Sequence, residues 1–270
     1  MPELPEVETS RRGIEPWLVD TTITKVVVRD RRLRWPVAKG VERRLKGQPI
    51  CSVERRAKYL LINTGNGTAI LHLGMTGSVF IVDRNTPAGV HDHFDFELGS
   101  GKSLRFRDPR RFGSFHWSND PFAHPLLANL GPEPLGDDFD GEYLWRTSRG
   151  RRVSVKQFIM NAKVVVGVGN IYASESLFLA GINPRRAAGR ISRHRYDTLA
   201  DAIRDILSRA IKAGGTTLRD FYGGDGEPGY FKQQLEVYDR DGEHCRQCNT
   251  VITAFVQGQR STYYCKSCQT

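Results

Sequence analysis

From Thr22 to Trp117 the chain is built of short runs in which apolar and polar side chains alternate or β-branched residues cluster. ITKVVV, KYLLIN, AILHL, SVFIV, HFDFEL and SLRFR are separated by TGNG, GMTG and GSGK, which predicts antiparallel strands in a β-sandwich or barrel. Ahead of them, Val7, Ile14 and Leu18 fall near one helical face and predict a short helix from about Glu6 to Leu18, closed by Pro16 and by Asp20 to Thr22. Beyond about residue 150 the period becomes helical. Helices are predicted over Arg152 to Asn161, Asn170 to Ala180 and Ser192 to Ala213, the last ended by Gly214-Gly215. Between the two textures, LGPEPLGDDFDG is rich in Pro, Gly and Asp and reads as a linker. The expected organisation is a helix plus β-sandwich domain over 1–131, a linker over 132–150, a helical domain over 151–235 and a small cysteine-bearing module over 236–270. No internal repeat is evident, and the glycine-rich stretch 216–231 reads as a mobile loop.

Charge changes what this α+β chain is expected to meet. Forty Lys and Arg oppose thirty Asp and Glu in 270 residues, a net charge of +10, which favours an anionic partner such as nucleic acid or an acidic membrane surface. No apolar run approaches the roughly 18 residues needed to cross a bilayer, and no basic-then-apolar leader is present, so a soluble cytosolic protein is expected. Four of the five cysteines lie near the C-terminus as Cys245-x2-Cys248-x16-Cys265-x2-Cys268, the spacing of a four-thiolate zinc site. One structural Zn2+ with no open coordination position is expected, supplying most of the folding energy of a module too small for its own core. His244 is a competing candidate ligand, and Cys51 is read as a small buried thiol. Within the module, VITAFV and STYYC read as strands joined by QGQR, which would hold Arg260 outward at a zinc-braced tip.

Other stretches carry chemistry that admits a plainer reading. Val166-Gly167-Val168-Gly169-Asn170 leads into a helix, and with Arg151, Arg152, Lys156 and Lys163 nearby it is either a phosphate grip or a tight turn beside a solvated basic face. GMTG puts Met75 in one turn and DPRRFG puts Arg110, Arg111 and Phe112 in another; these tips suit insertion into a base stack, or are core residues. His91-Asp92-His93 reads first as the polar start of a strand. The N-terminus, MPELPEVET, places Pro2 directly behind Met1, which is normally removed from such a start. The exposed α-amine, with a generic pKa of about 7.7–8.0 against about 10.4 for lysine, is neutral a few hundredfold more often at pH 7. Glu3, Glu6 and Glu8 are either acid–base groups or complements to a helix dipole.

Taken together, MPELPEVETSRRGIEP, RRAKYLL, HLGMTGS, DPRRFG, VVGVGNIYASESLF, GGTTLRDF, PGYF and the terminal cysteine module resemble bacterial formamidopyrimidine-DNA glycosylase along the whole chain. The resemblance implies a bifunctional base-excision repair enzyme that removes 8-oxoguanine and formamidopyrimidines from duplex DNA and then cuts the strand by β- and δ-elimination. It implies Pro2 as Schiff-base nucleophile, Glu3 as the acid assisting glycosidic and sugar-ring opening, Lys58 as proton donor for β-elimination, and Arg260 for δ-elimination and phosphate binding. His91, Arg110, Arg151, Lys156 and Asn170 match DNA-contacting positions, and Met75, Arg110 and Phe112 match the residues that fill the gap left by a flipped nucleotide. Residues 217–231 match a loop that closes over the extruded base. The fold implied is an N-terminal helix and β-sandwich, then a helical domain with a helix-two-turn-helix and zinc-finger hairpin, acting as a monomer with DNA held in the cleft between. The rival readings are an endonuclease-VIII-type glycosylase for oxidised pyrimidines, disfavoured by MPELPE and the intact Met75, Arg110, Phe112 set, and a non-catalytic zinc-ribbon DNA-binding protein.

Overall fold

The computed structural model describes residues 2–216 and 231–270, and its described residues fall into two compact units, 2–128 with 213–216 and 129–212 with 231–270. Met1 and most of the glycine-rich stretch read as a mobile loop lie outside the described residues.

The first unit opens with α1 (Leu4–Leu18), two residues earlier than its apolar spacing predicts. Glu3 is its N-cap, and Glu6 closes a capping box by accepting from the Glu3 N–H at 2.8 Å. Pro5 sits in the first turn, where a missing N–H costs nothing, and Pro16 in the last. Leu4, Val7, Ile14 and Leu18 are buried. The chain then makes two four-stranded antiparallel sheets, with a short helix α2 (Val41–Leu45) between their first strands. One runs β1 (Ile23–Val28), β6 (Asp92–Leu98), β7 (Lys102–Arg107), β5 (Ser78–Asp83). The other runs β2 (Ile50–Arg56), β3 (Tyr59–Thr64), β4 (Gly67–His72), β8 (Ser114–Ser118). Side chains from both meet in one core, where Phe94 stacks on Phe106 at 4.8 Å and lies 4.9 Å from Phe115. Strand β2 is absent from the runs read off the sequence because ICSVERR turns only Ile50 and Val53 inward. It is an edge strand, where charged side chains guard against unwanted pairing.

One buried cation fixes the rim of this sandwich. Arg105, 2% exposed, donates to both oxygens of Asp95 and to the carbonyls of Thr86 and Pro87, and its Nη1 lies 3.5 Å from Asp92. Arg29 and Arg107 complete the charge balance at 2.6 and 2.7 Å from Asp95 and Asp92. The segment leading to His91 is thereby tied to β7.

In the second unit, α3 (Gly141–Ser148), α4 (Val155–Ile159), α5 (Asn170–Leu179) and α6 (Arg193–Lys212) precede a hairpin of β9 (Thr253–Gln257) and β10 (Arg260–Tyr264). Helix α3 falls within the stretch that reads as linker. Asp140 caps it by accepting from Tyr143 N at 2.6 Å, and a Cβ on Gly141 would fall 2.4 Å from Asp197 Cα, so only glycine lets α3 approach α6 this closely. Helix α4 is shorter than the predicted Arg152 to Asn161. The cysteine-bearing module belongs to the same compact unit as the helices. Glu175 on α5, fully buried, accepts from the N–H groups of Glu236, Val237 and Tyr238 at 2.8, 3.0 and 2.8 Å and docks the approach to that module. Among the described residues, no helix is long and apolar enough to cross a membrane.

Removing Asp95 would leave Arg105 buried without its main counter-charge. Asp95→Ala is expected to lose about 3–5 kcal/mol of stability at pH 7, read from urea denaturation. Burial raises the Asp95 carboxyl, but hydrogen bonds from Arg29 and Arg105 outweigh it and hold the group below its ordinary 3.8, so this stabilisation is present above that pH and is lost as pH falls. The gap between parent and variant should therefore narrow below about pH 3.8.

Candidate nucleic-acid site and metal centre

The start of α1 places Pro2 and Glu3 in buried positions, Glu3 only 2% exposed. Glu6, equally buried, joins two parts of the backbone: Oε2 accepts from Glu3 N and Oε1 from Thr216 N, both at 2.8 Å. Gly215, at φ +83°, lies against the Glu6 side chain. Glu8, which a dipole reading treats as surface decoration, is instead the acceptor for Arg11, Arg12 and Arg55. Burial raises its carboxyl, and the hydrogen bonds of Arg11 and Arg12 outweigh this and bring it below the usual value. Arg55 spans from Glu8 Oε2 at 3.2 Å to the Ala57 carbonyl at 3.0 Å. It thus fixes the two-residue turn Ala57-Lys58 between β2 and β3, in which Ala57 holds a left-handed φ of +56° and Lys58 is half-buried.

Asp108 organises the apolar tips. It is fully buried, accepts from Thr76 Oγ1 at 2.6 Å and Arg110 N at 3.3 Å through Oδ1, and from Gly113 N at 2.7 Å through Oδ2. Gly74, at φ +67°, brings the Met75 turn so close that a Cβ there would lie 2.4 Å from the Phe112 carbonyl carbon. Met75 and Phe112 are 40% and 41% exposed, and the Arg110 guanidinium lies 4.8 Å over the Phe112 ring. Exposed His91 joins the group through its carbonyl, which accepts from Asp108 N at 3.0 Å. Pattern reading left His72 without a role. Its Nδ1 accepts from Gly74 N at 2.9 Å, and burial, followed by the nearby Lys58 and Arg34 charges, pulls its pKa to about 4. A neutral imidazole therefore supports the Met75 turn beside Lys58. Asp at the first position of a Pro-containing turn was the available sequence signal for Asp108. No periodicity marks His72.

In the second unit the four sulfurs of Cys245, Cys248, Cys265 and Cys268 all lie within 4.8 Å of one another, with 3.4 Å between Cys248 and Cys265 and 3.9 Å between Cys245 and Cys268. Bonds of about 2.3 Å to a tetrahedral zinc place sulfurs about 3.8 Å apart, so the donor set fits one structural Zn2+. His244 is exposed, with Nδ1 2.9 Å from the Asn249 carbonyl, outside the thiolate cluster. Gln257 pairs with Arg260 across a two-residue turn whose Gly258 and Gln259 have φ of +56° and +60°, the type I′ geometry of a tight hairpin. Arg260 is exposed beside it.

Two expectations need correction. Lys156 is not a free phosphate ligand: it is 1% exposed, and Nζ donates to the Ser261 carbonyl at 3.1 Å and Thr262 Oγ1 at 2.8 Å. The capped turn at Ser154 directs it inward with Val155, Phe158 and Ile159. Cys51 is exposed, because the short β2 alternation turns it outward. Asn170, half-buried at the first turn of α5, donates to the Ser261 carbonyl at 3.0 Å, and Arg151 is exposed. Pro2, Glu3, Lys58, Met75, His91, Arg110 and Phe112 belong to the first unit; Arg151, Lys156, Asn170, Arg260 and the cysteines belong to the second.

Comparison with known proteins gives consistent matches. Residues 1–115 match the formamidopyrimidine-DNA glycosylase N-terminal domain, 130–222 the formamidopyrimidine-DNA glycosylase H2TH domain, and 242–270 the zinc finger found in FPG and IleRS. The chain is 61% identical over 269 residues to formamidopyrimidine-DNA glycosylase of Stutzerimonas stutzeri (strain A1501), covering 100% of each chain. Among solved structures it resembles a Lactococcus lactis FPG mutant in complex with a Fapy-dG containing DNA, at 30% identity and TM-score 0.92, covering 99% of each chain. It also resembles the Lactococcus lactis Fpg in complex with an abasic site containing DNA, at 30% identity and TM-score 0.91, again covering 99% of each chain.

Two outcomes follow from this geometry. Between pH 6.5 and about 4 the unfolded chain protonates His72 while the folded chain does not, so stability should fall as pH falls, by up to about 3 kcal/mol. His72→Asn keeps an acceptor for Gly74 N and should flatten this dependence, read from urea midpoints at pH 7 and 4.5. Chelation, or Cys248→Ser, should remove the bound zinc and abolish hydrogen-exchange protection across β9 and β10, measured by metal analysis and mass spectrometry.

Proposed function

This chain belongs to the formamidopyrimidine-DNA glycosylase family, and from that premise we propose that it excises oxidised purines from duplex DNA and then cleaves the strand as an abasic-site lyase. The observation that carries the reading is the junction at the start of α1. There a proline at position 2 adjoins buried Glu3, whose backbone Glu6 pins to Thr216.

With Met1 removed, the Pro2 nitrogen is a secondary amine. Its lone pair attacks C1′ of the damaged nucleotide; the C1′–N bond breaks and the base departs with a proton. Glu3 delivers a proton to the ring oxygen, the C1′–O4′ bond opens, and the nitrogen lone pair forms an iminium that keeps its positive charge. Loss of a C2′ proton then expels the 3′ phosphate, with Lys58 as proton donor to the leaving side. A second elimination, assigned to Arg260, expels the 5′ phosphate. His91, Arg110 and Arg151 contact DNA and Asn170 grips phosphate, while Met75, Arg110 and Phe112 occupy the space of the extruded nucleotide. The stacking of Arg110 on Phe112 and the packing of Gly74 against the Phe112 backbone favour a rigid wedge, which with MPELPE supports a purine substrate. The Cys245, Cys248, Cys265 and Cys268 thiolates would hold the zinc, which braces the hairpin and takes no part in bond making. A bacterial relative and a DNA substrate support a cytoplasmic location.

Borohydride reduction on a duplex carrying 8-oxoguanine opposite cytosine tests the reading. Parent protein lacking Met1 should give a covalent adduct. Pro2→Gly should reduce adduct formation by at least about a hundredfold while changing duplex affinity only a few-fold. Absence of an adduct with the parent, or equal trapping on a thymine-glycol duplex, overturns the proposal.

A further inference from the structure

We propose that Lys156 is a positioning residue for Arg260, acting through the backbone of the zinc-braced hairpin; this rests on the role given to Arg260 above. Helix α4 meets the hairpin on both sides of Arg260. Before it, the tip lies against Gln157: a Cβ on Gly258 would be 2.6 Å from Gln157 Nε2, and the Gln157 amide oxygen accepts from Ser154 Oγ at 2.9 Å. After it, the Lys156 ammonium reaches the Ser261 carbonyl and the hydroxyl of fully buried Thr262, and Asn170 adds a second donor to the Ser261 carbonyl.

A buried ammonium is costly unless its donors are matched, so a shift of the Ser261 carbonyl or the Thr262 hydroxyl away from it is opposed. Val155, Phe158 and Ile159 root α4 in the core of the second unit. The type I′ turn leaves little slack between residues 257 and 260, so the height of β10 over α4 fixes the origin of the exposed guanidinium. A displacement of about 1 Å at a group acting on a reacting phosphate can lower a rate by about a hundredfold. Lys156 thus contributes to phosphate expulsion without contacting DNA.

The test uses zinc-loaded full-length protein and a duplex with a preformed abasic site, and reads the ratio of δ- to β-elimination product alongside borohydride trapping and zinc content. Lys156→Met should lower that ratio about tenfold, the loss expected for a charge-assisted hydrogen bond, without a proportional fall in trapping. Thr262→Val should move it in the same direction, Thr262→Ser should restore it, and the effects of Lys156→Met and Thr262→Val should be less than additive. An unchanged ratio in Lys156→Met while Arg260→Ala shifts it overturns the inference and leaves the function standing. An unchanged ratio in Arg260→Ala removes the role of Arg260 itself. If Lys156→Met loses zinc, the Thr262 pair decides: Val and Ser variants with the parent ratio refute the proposal.

Discussion

Backbone N–H groups donated to buried carboxylates hold the candidate site together. Glu6 gathers the N–H groups of Glu3 and Thr216, Asp108 those of Arg110 and Gly113, and Glu175 those of Glu236, Val237 and Tyr238. Glu6 and Glu175 join stretches far apart in sequence, while Asp108 closes its own turn and ties it to Thr76. Inside a protein such bonds are stronger than in water, and a carboxylate stripped of them pays the full cost of desolvation. In a chain of net charge +10, seven acidic side chains are nonetheless buried among the described residues, against two basic ones, Arg105 and Lys156.

The same chemistry with reversed sign recurs with cations. Arg105 gathers carbonyls and carboxylates at the rim of the sandwich, and Lys156 gathers a carbonyl and a hydroxyl beneath the hairpin. Arg55 takes an intermediate part, handing the charge of Glu8 to the carbonyl of a strained two-residue turn. Glu3 lies three residues from buried Glu6, Arg110 two from buried Asp108, and Arg260 two from buried Thr262. The anchors are what allow irregular loops to hold side chains as firmly as regular elements do.

The sequence made some levels legible and others not. Strands with strong alternation, such as HFDFEL, and helices with a long apolar face, such as α6, declare themselves because their apolar residues share one face that lines a core. Edge strand β2 and helix α3 do not, since one is mostly polar and the other is short and begins amid Pro, Gly and Asp. Of the site, the thiolate spacing and the exposure of the turn tips are legible because their pattern is local. Lys156 was misread because a basic residue near a glycine turn looks the same whether it points to solvent or inward. Only the partner at Ser261 and Thr262, over a hundred residues away, tells them apart. His72, Asp108 and Glu8 act through three-dimensional neighbours and leave no periodic trace.

The contact between Gly74 and the Phe112–Gly113 backbone has an evolutionary corollary. Two turns far apart in sequence share one van der Waals surface, so neither can lengthen, gain a Cβ or shift register without a matched change in the other. Loops ordinarily absorb insertions, but these behave as a single inherited part. Divergence in what the wedge tolerates would therefore come by exchanging the side chains at positions 75, 110 and 112 on a fixed frame, with the lengths of both turns conserved as a pair.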